Sequence, residues 1–133
     1  KELILEETKA LINIEKFKDY ETRIETIKFQ LLEFLEKHKE NKIVGYGASA
    51  TSTTLISHFG LHKYFSYLVD DNTSKINTYS PGYHLPVFSS KRLIEDKPDI
   101  IVILAWRFEE EILKKLKFFQ GIVVIPLPIF KEI

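Results

Sequence analysis

One stretch constrains the fold more than any other, the segment from Lys42 to Ala50, which reads Lys-Ile-Val-Gly-Tyr-Gly-Ala-Ser-Ala. Its Ile-Val pair is apolar and β-branched, which favours a strand buried on both faces of a sheet. Gly45, Gly47 and Ala50 fit the pattern G-x-G-x-x-A, in which a strand turns tightly into a helix. In that pattern the first glycine makes the turn, the second lets a ligand approach, and the third small residue lets the helix pack on the strand.

The glycine turn has two possible roles. Ser49 is placed to cap the new helix, whose free N–H groups and positive dipole end would then face an anion such as a phosphate. Alternatively, the small residues only allow the chain to pass from strand to helix. The spacing alone leaves both interpretations open.

Strands and helices alternate after this turn, which predicts an α/β fold. A run of five apolar residues, 100–104, is typical of a central parallel strand. We expect a Rossmann-like, three-layer α/β/α domain with a mainly parallel sheet of about five strands and right-handed crossovers. The further elements are strands near 65–69, 85–87 and 122–125, and helices near 50–59, 90–96 and 108–118.

A long amphipathic helix precedes this domain. Its apolar residues between Phe17 and Phe34 recur at spacings of three and four, which predicts a helix over about 14–39, after a short helix or arm over 1–13. We therefore divide the chain into a helical connector, 1–40, and a Rossmann-like domain, 41–133. The helix could pack on its own domain or on a neighbouring one, or form a coiled coil with a second copy.

Composition excludes several classes of protein. The 19 basic and 19 acidic side chains cancel, which argues against nucleic acid as a partner. The chain has no cysteine, so it can build neither disulfides nor thiolate metal sites. No apolar run is long enough for a membrane span, and the charged N-terminus is not a signal peptide. We expect a cytoplasmic protein, and the absence of methionine suggests a piece of a longer one.

Four segments are candidates for a binding site at the carboxyl edge of the sheet. The first is the glycine turn, and the second is Asp70-Asp71-Asn72, whose carboxylates follow the second strand, where a Rossmann fold binds ribose hydroxyls. The third is the loop with Tyr83 and His84, and the fourth is Trp106 with Arg107. The acidic segment could equally serve only as a turn.

Each candidate side chain has a chemical role and a structural alternative. Arg107 could bind a phosphate through two hydrogen bonds, and Trp106 or Tyr46 could stack on a base. Core packing is the alternative for Trp106. His84 could transfer a proton near neutral pH or serve only in its turn. His58 and His62 are four residues apart, but Gly60 between them breaks the helix that a shared ligand site would need, so we predict no metal. We assign no catalytic residue.

The chain resembles the C-terminal domain of S-adenosylmethionine-dependent C-methyltransferases that act on nucleotide sugars. Four separated blocks carry the resemblance, in the order expected for that family: Gly45-Tyr46-Gly47-Ala48-Ser49-Ala50; Val69-Asp70-Asp71-Asn72 with Lys75; Tyr79-Ser80-Pro81-Gly82 with His84 and Pro86; and Leu104-Ala105-Trp106. Two positions depart from the usual pattern. Thr51 stands where a lysine is frequent, and Arg107 where an asparagine is frequent.

The resemblance implies a domain that helps to bind the nucleotide-diphosphate sugar of a deoxysugar pathway and has no methyl-donor site of its own. S-adenosylmethionine would then be bound by a central domain of the same or a partner chain. Two other hypotheses stay open, a stand-alone NAD(P)-binding or nucleotide-binding Rossmann domain and a non-catalytic oligomerisation module.

Overall fold

The structure, a computed structural model, describes residues 2–133, so that Lys1 of the predicted connector lies outside the described residues. The chain begins with one continuous helix, α1, over Glu2–Lys37. The predicted division between an arm and a helix starting near residue 14 is therefore wrong. No glycine or proline occurs between residues 2 and 37, and most of these residues are good helix formers, so nothing in this segment ends the helix.

The alternation of strands and helices predicted for the rest of the chain is confirmed. The helices after α1 are α2 (Ala50–Phe59), α3 (Arg92–Asp96) and α4 (Glu109–Lys115), the last preceded by a 3-10 turn over Trp106–Phe108. The strands are β1 (Ile43–Tyr46), β2 (Phe65–Asp70), β3 (Thr78–Tyr79), β4 (Pro86–Ser89), β5 (Ile100–Ile103), β6 (Ile122–Ile125) and β7 (Lys131–Glu132).

The strands form one sheet in the order β3-β4-β2-β1-β5-β6-β7. The five inner strands are parallel, as predicted, and their order reverses direction at β1, the arrangement of a doubly wound sheet. The sequence analysis missed β3 and β7, which pair antiparallel at the two edges. Each has only two residues, too few for the alternation of polar and apolar side chains to be visible.

Two apolar layers cover the sheet, which confirms the three-layer architecture. On one face the core contains residues of α2 and of the C-terminal part of α1. On the other face it contains Leu93 of α3 and Ile112 of α4. Ile43 and Val44 point to opposite layers because successive side chains of a strand alternate in direction.

The two halves of α1 differ in burial. In the C-terminal part, Ile27, Leu31, Phe34 and Leu35 are buried in the domain core. In the N-terminal half the apolar side chains are exposed, among them Leu3, Ile4, Leu5, Leu11, Ile12, Ile14, Phe17 and Tyr20. The predicted apolar face thus packs on its own domain from about Ile24 onward, and only there.

Candidate functional site

A cleft of about 500 Å³ opens at the carboxyl ends of the parallel strands. Its position follows from the strand order, since β1 has β2 on one side and β5 on the other and the connections leave in opposite directions. Open α/β sheets bind ligands at this reversal. The cleft is lined by eight of the predicted site residues: Tyr46, Gly47, Ser49, Asp70, Asp71, Asn72, Trp106 and Arg107.

The glycines do not have the roles that the sequence pattern suggested. Gly45 lies within β1 rather than in the turn, and a Cβ there would come within 2.6 Å of Leu68 and 2.8 Å of Leu104. Gly47 makes the turn, with φ +123°, but a Cβ there would meet the backbone N of Ala105 at 2.9 Å. The close approach at each glycine is therefore made by the protein's own atoms.

The packing role expected of Ala50 is not observed. Ala50, expected to allow packing of helix on strand, is exposed at the start of α2. Ala48 is buried instead and belongs to the core. Ser49 caps α2 as predicted, since its Oγ accepts a hydrogen bond from the backbone N–H of Ser52 at 3.2 Å.

Asp70 stabilises the two turns at the cleft. Its Oδ2 accepts from the N–H of Ala48 at 2.8 Å, and its Oδ1 accepts from the N–H of Asn72 at 2.8 Å. The N–H of Gly47 donates to the carbonyl of Val69 at 2.8 Å. Two N–H groups of the glycine turn are therefore bound within the protein. An anion at this turn would use the next N–H groups, those of Ser49, Ala50 and Thr51, which have no intrahelical acceptor.

Asp71 is the centre of a side-chain network on one side of the cleft. Oδ2 accepts hydrogen bonds from the hydroxyl of Tyr46 at 2.6 Å and from Nζ of Lys115 at 2.9 Å, and Oδ1 accepts one from Ser90. Partial burial raises the pKa of Asp71, but the bonds from Ser90, Tyr46 and Lys115 lower it by more. The net pKa lies below the ordinary value for an aspartate.

The pKa values of Tyr46 and Lys115, two partners of Asp71, shift upward. Burial first, and then the hydrogen bond to Asp71, raise the pKa of Tyr46 well above that of a free tyrosine. The hydrogen bond to Asp71 likewise raises the pKa of Lys115. Near neutral pH the network therefore holds a carboxylate, an ammonium group and a neutral phenol, and one acceptor position on Oδ1 remains for a ligand hydroxyl.

Arg107 and Lys75 supply positive charge at the cleft. Within residues 2–133, neither side chain takes part in an ion pair, whereas Lys115 pairs with Asp71. An arginine guanidinium presents parallel N–H donors that match the oxygens of a phosphate. The cleft that contains the N-terminus of α2 is therefore also lined by two cations without an ion pair among the described residues.

Trp106 follows β5, and both predicted roles, core packing and contact with a ligand, are compatible with its position. The indole is partly buried against both core layers and also lines the cleft. Core packing therefore fixes the position of the ring, and its remaining surface is free to contact a ligand.

The expectation that the loop with Tyr83 and His84 joins the other three segments is wrong. This loop precedes β4, which is parallel to β2, so it lies at the amino end of the strands. There Tyr83 stacks on His62 and donates to Ser57 at 3.3 Å. His84 is exposed, with φ +52°, and does not line the cleft.

Sequence reasoning missed several residues that line the cleft or support it. The 3-10 turn and α4 contribute four of them: Phe108, Glu111, Ile112 and Lys115. Ser90, the residue after β4, donates a hydrogen bond to Asp71. One signal was available, because α4 is the first helix after β5, whose carboxyl end lies at the reversal point. The spacing of Glu111 and Lys115 places both on one helix face.

Two further structural observations limit the possible sites. Of the helices within residues 2–133, none combines the length and apolar character that crossing a bilayer requires. In the same range, no three side chains of His, Asp or Glu come together in a way that could hold a metal ion.

Comparison with known proteins identifies similar chains. The family model described as "C-methyltransferase C-terminal domain" matches residues 1–128. C-methyltransferase NovU of Streptomyces niveus is 29% identical over 90 residues, which cover 65% of this chain and 21% of NovU. The chain thus spans about a fifth of the length of that relative.

A solved structure agrees with the fold. UDP-D-quinovosamine 4-dehydrogenase from Vibrio fischeri superposes with a TM-score of 0.52, at 15% sequence identity. The match covers 70% of this chain and 93% of that chain. At this identity the likeness shows the fold alone.

Proposed function

The chain belongs to the family of C-methyltransferase C-terminal domains, and from that premise we propose that it holds the nucleoside-diphosphate end of a nucleotide sugar. The methyl group would come from S-adenosylmethionine bound by a separate domain. In such a reaction a base removes a proton beside a keto group of the sugar, and the enolate attacks the methyl donor. We assign no residue of this chain as that base.

One observation carries the proposal: the lining of the cleft combines a carboxylate acceptor for hydroxyls with groups that can bind an anion. Asp71 offers a carboxylate acceptor beside the end of β2. The N-terminus of α2, Arg107 and Lys75 offer positive charge. A nucleoside diphosphate needs both, because its ribose carries hydroxyl donors and its two phosphates carry negative charge.

Each residue then has a stated role. Asp71, positioned by Tyr46 and Lys115, accepts a hydrogen bond from a ribose hydroxyl. Arg107 and the first-turn N–H groups of α2 bind the diphosphate. The exposed part of the Trp106 indole contacts the ligand where it passes the end of β5.

The contacts of the glycine turn support placing the methyl donor outside this domain. Adenosine cofactors that bind at such a turn need space for a close approach at the second glycine. Here Ala105 and Ser52 fill the space beside Gly47. NAD remains the alternative ligand, and a titration with NADH tests it, since tight binding would reverse this ranking.

A second candidate function, oligomerisation, is favoured by the N-terminal half of α1. Its apolar side chains are exposed in the single chain, from Leu3 to Tyr20. Light scattering should compare the full chain with one that starts at Glu21, which keeps the buried part of α1. An unchanged mass would exclude this half-helix as an oligomer contact.

Ligand binding can be followed through Trp106, the only tryptophan in the chain. We expect thymidine or uridine diphosphate to change its fluorescence in a saturable way. Arg107→Gln should weaken this binding by about tenfold, the value of one lost charge-assisted contact. Arg23→Gln, on the exposed part of α1, is the matched control. Absence of any binding at millimolar nucleotide would exclude independent binding by this domain.

A further inference from the structure

A second groove, of about 460 Å³, lies next to the cleft between α1 and α2. Thr51 and Trp106 line both spaces, so the two are continuous around the start of α2. On its far side the groove is bounded by Tyr20 and Ile24 of α1 and by Leu127. The sequence analysis did not identify this groove.

We propose that this groove is the sugar subsite, in which a deoxygenated hexose lies between Tyr20 and Trp106 while its nucleoside diphosphate occupies the cleft. The inference rests on the proposed function and deepens it. It makes Tyr20 and Leu127 residues that determine specificity for the sugar, although neither lies near the glycine turn in sequence.

The geometry around α2 supports this placement. In the proposed function the free N–H groups at the start of α2 bind the diphosphate, and two of the residues that carry them, Ala50 and Thr51, line the groove. A diphosphate bound at this helix end has the cleft on one side and the groove on the other. A nucleoside directed toward Asp71 therefore leaves its sugar directed toward Trp106 and Tyr20.

The chemistry of the groove fits a sugar that lacks some of its hydroxyl groups. Most of the lining is apolar, from Ile24, Leu55, Phe59 and Leu127 together with the rings of Tyr20 and Trp106. A few polar groups are interspersed, namely the hydroxyls of Thr51 and Thr54 and the ring of His58. Apolar walls with a few placed polar groups are typical of small-molecule subsites.

The cleft and the groove differ in charge, and this difference assigns the two parts of the ligand to different spaces. The cleft contains carboxylates and cations, whereas no Asp, Glu, Lys or Arg lines the groove among the described residues. A charged diphosphate would lose solvation in the groove without compensation. A deoxygenated hexose would bury its C–H surface there at little cost.

The test compares nucleoside diphosphates with their sugar conjugates on the full chain, with Trp106 fluorescence or calorimetry as readout. The probes are thymidine and uridine diphosphate, their 6-deoxyhexose conjugates and their glucose conjugates. Tyr20→Ala removes one wall of the groove and Thr54→Trp fills it; both side chains are exposed, so the fold should be retained. Phe29→Ala is the matched control, an exposed aromatic side chain on the same helix outside the groove.

We expect a 6-deoxyhexose conjugate to bind about fivefold more tightly than its nucleoside diphosphate, and more tightly than its glucose conjugate. Tyr20→Ala and Thr54→Trp should abolish that gain and leave the affinity for the diphosphate unchanged, while Phe29→Ala should change neither. If the diphosphates bind but the sugar adds nothing, or the gain survives both groove variants, the subsite is disproved and the proposed function stands. If neither the diphosphates nor the conjugates bind, the proposed function itself fails.

Discussion

The hydroxyl of Tyr46 donates a hydrogen bond of 2.6 Å to Oδ2 of Asp71 and so joins the end of β1 to the residue that follows β2. The two residues are 25 positions apart in sequence. Lys115 donates to the same oxygen from α4, so that the carboxylate connects three elements around the cleft. The orientation of Asp71 toward a ligand is therefore fixed before any ligand binds.

A double-mutant cycle tests the energetic coupling of this pair. Tyr46→Phe and Asp71→Ala each remove the hydrogen bond and should each destabilise the protein, and the double variant should lose less than the sum. We expect a coupling of about 1 kcal/mol, below the roughly 1.5–3 kcal/mol typical of a hydrogen bond to a charged group, because Asp71 is partly exposed. Urea unfolding of the four proteins measures it. Strict additivity would show that the hydrogen bond contributes nothing to stability.

The lowered pKa of Asp71 predicts a stability effect with a defined sign. A carboxyl whose pKa is lower in the folded state stabilises the fold above its unfolded pKa of about 3.9, and this stabilisation is lost as the pH falls through the folded pKa. The stability difference between the native chain and Asp71→Asn should thus be largest near neutral pH and shrink in acid.

The Lys115→Met variant provides the control for that pH dependence. Removing the ammonium group should move the pKa of Asp71 back toward its ordinary value, which an NMR titration of the Asp71 carboxyl carbon would detect. A midpoint above about 3.9 in the native chain would contradict the network as described.

Gly47 should tolerate no side chain, even without a ligand. Gly47→Ala combines a positive φ with a Cβ only 2.9 Å from the N of Ala105, and we expect a cost of about 2–3 kcal/mol. Gly82→Ala is the control, because φ is also positive there but no atom lies within 4 Å; its cost should be about 1 kcal/mol. Equal melting temperatures for the two variants would contradict the crowding at Gly47.

A matched pair of leucines tests the unequal burial of α1. Leu31 is 0% exposed and Leu11 is 62% exposed. Leu31→Ala should cost about 2–5 kcal/mol in unfolding free energy, whereas Leu11→Ala should change it by less than about 0.5 kcal/mol. A large effect at Leu11 at low protein concentration would mean that the N-terminal half of the helix is buried in solution.

The inner sheet could be predicted from sequence because its signals are local. The β-branched runs at β1, β5 and β6 indicate strands covered on both faces, whatever surrounds them. The two edge strands could not, since a two-residue strand exists only through its partner. The expectation for the His84 loop failed for a topological reason, as a segment that precedes a parallel strand lies at the amino end of the sheet.

The site was predictable in position but not in its internal contacts. The carboxyl ends of β1, β2 and β5 meet in any sheet of this order, so Gly47, Asp71 and Trp106 had to lie close together. That Gly45 is a glycine because Leu68 and Leu104 pack across it depends on contacts distant in sequence. The pairing of Asp71 with Lys115 likewise joins residues distant in sequence, and no local sequence pattern predicts it.

The central claim, that the cleft binds the nucleoside-diphosphate end of a nucleotide sugar, is tested most directly by an NMR titration of the ¹⁵N-labelled chain with thymidine or uridine diphosphate. The account predicts saturable shifts at Gly47, Asp71 and Arg107, and none at Gly82, which lies at the opposite end of the sheet. No shifts at millimolar nucleotide, or shifts confined to residues outside the cleft, would contradict it.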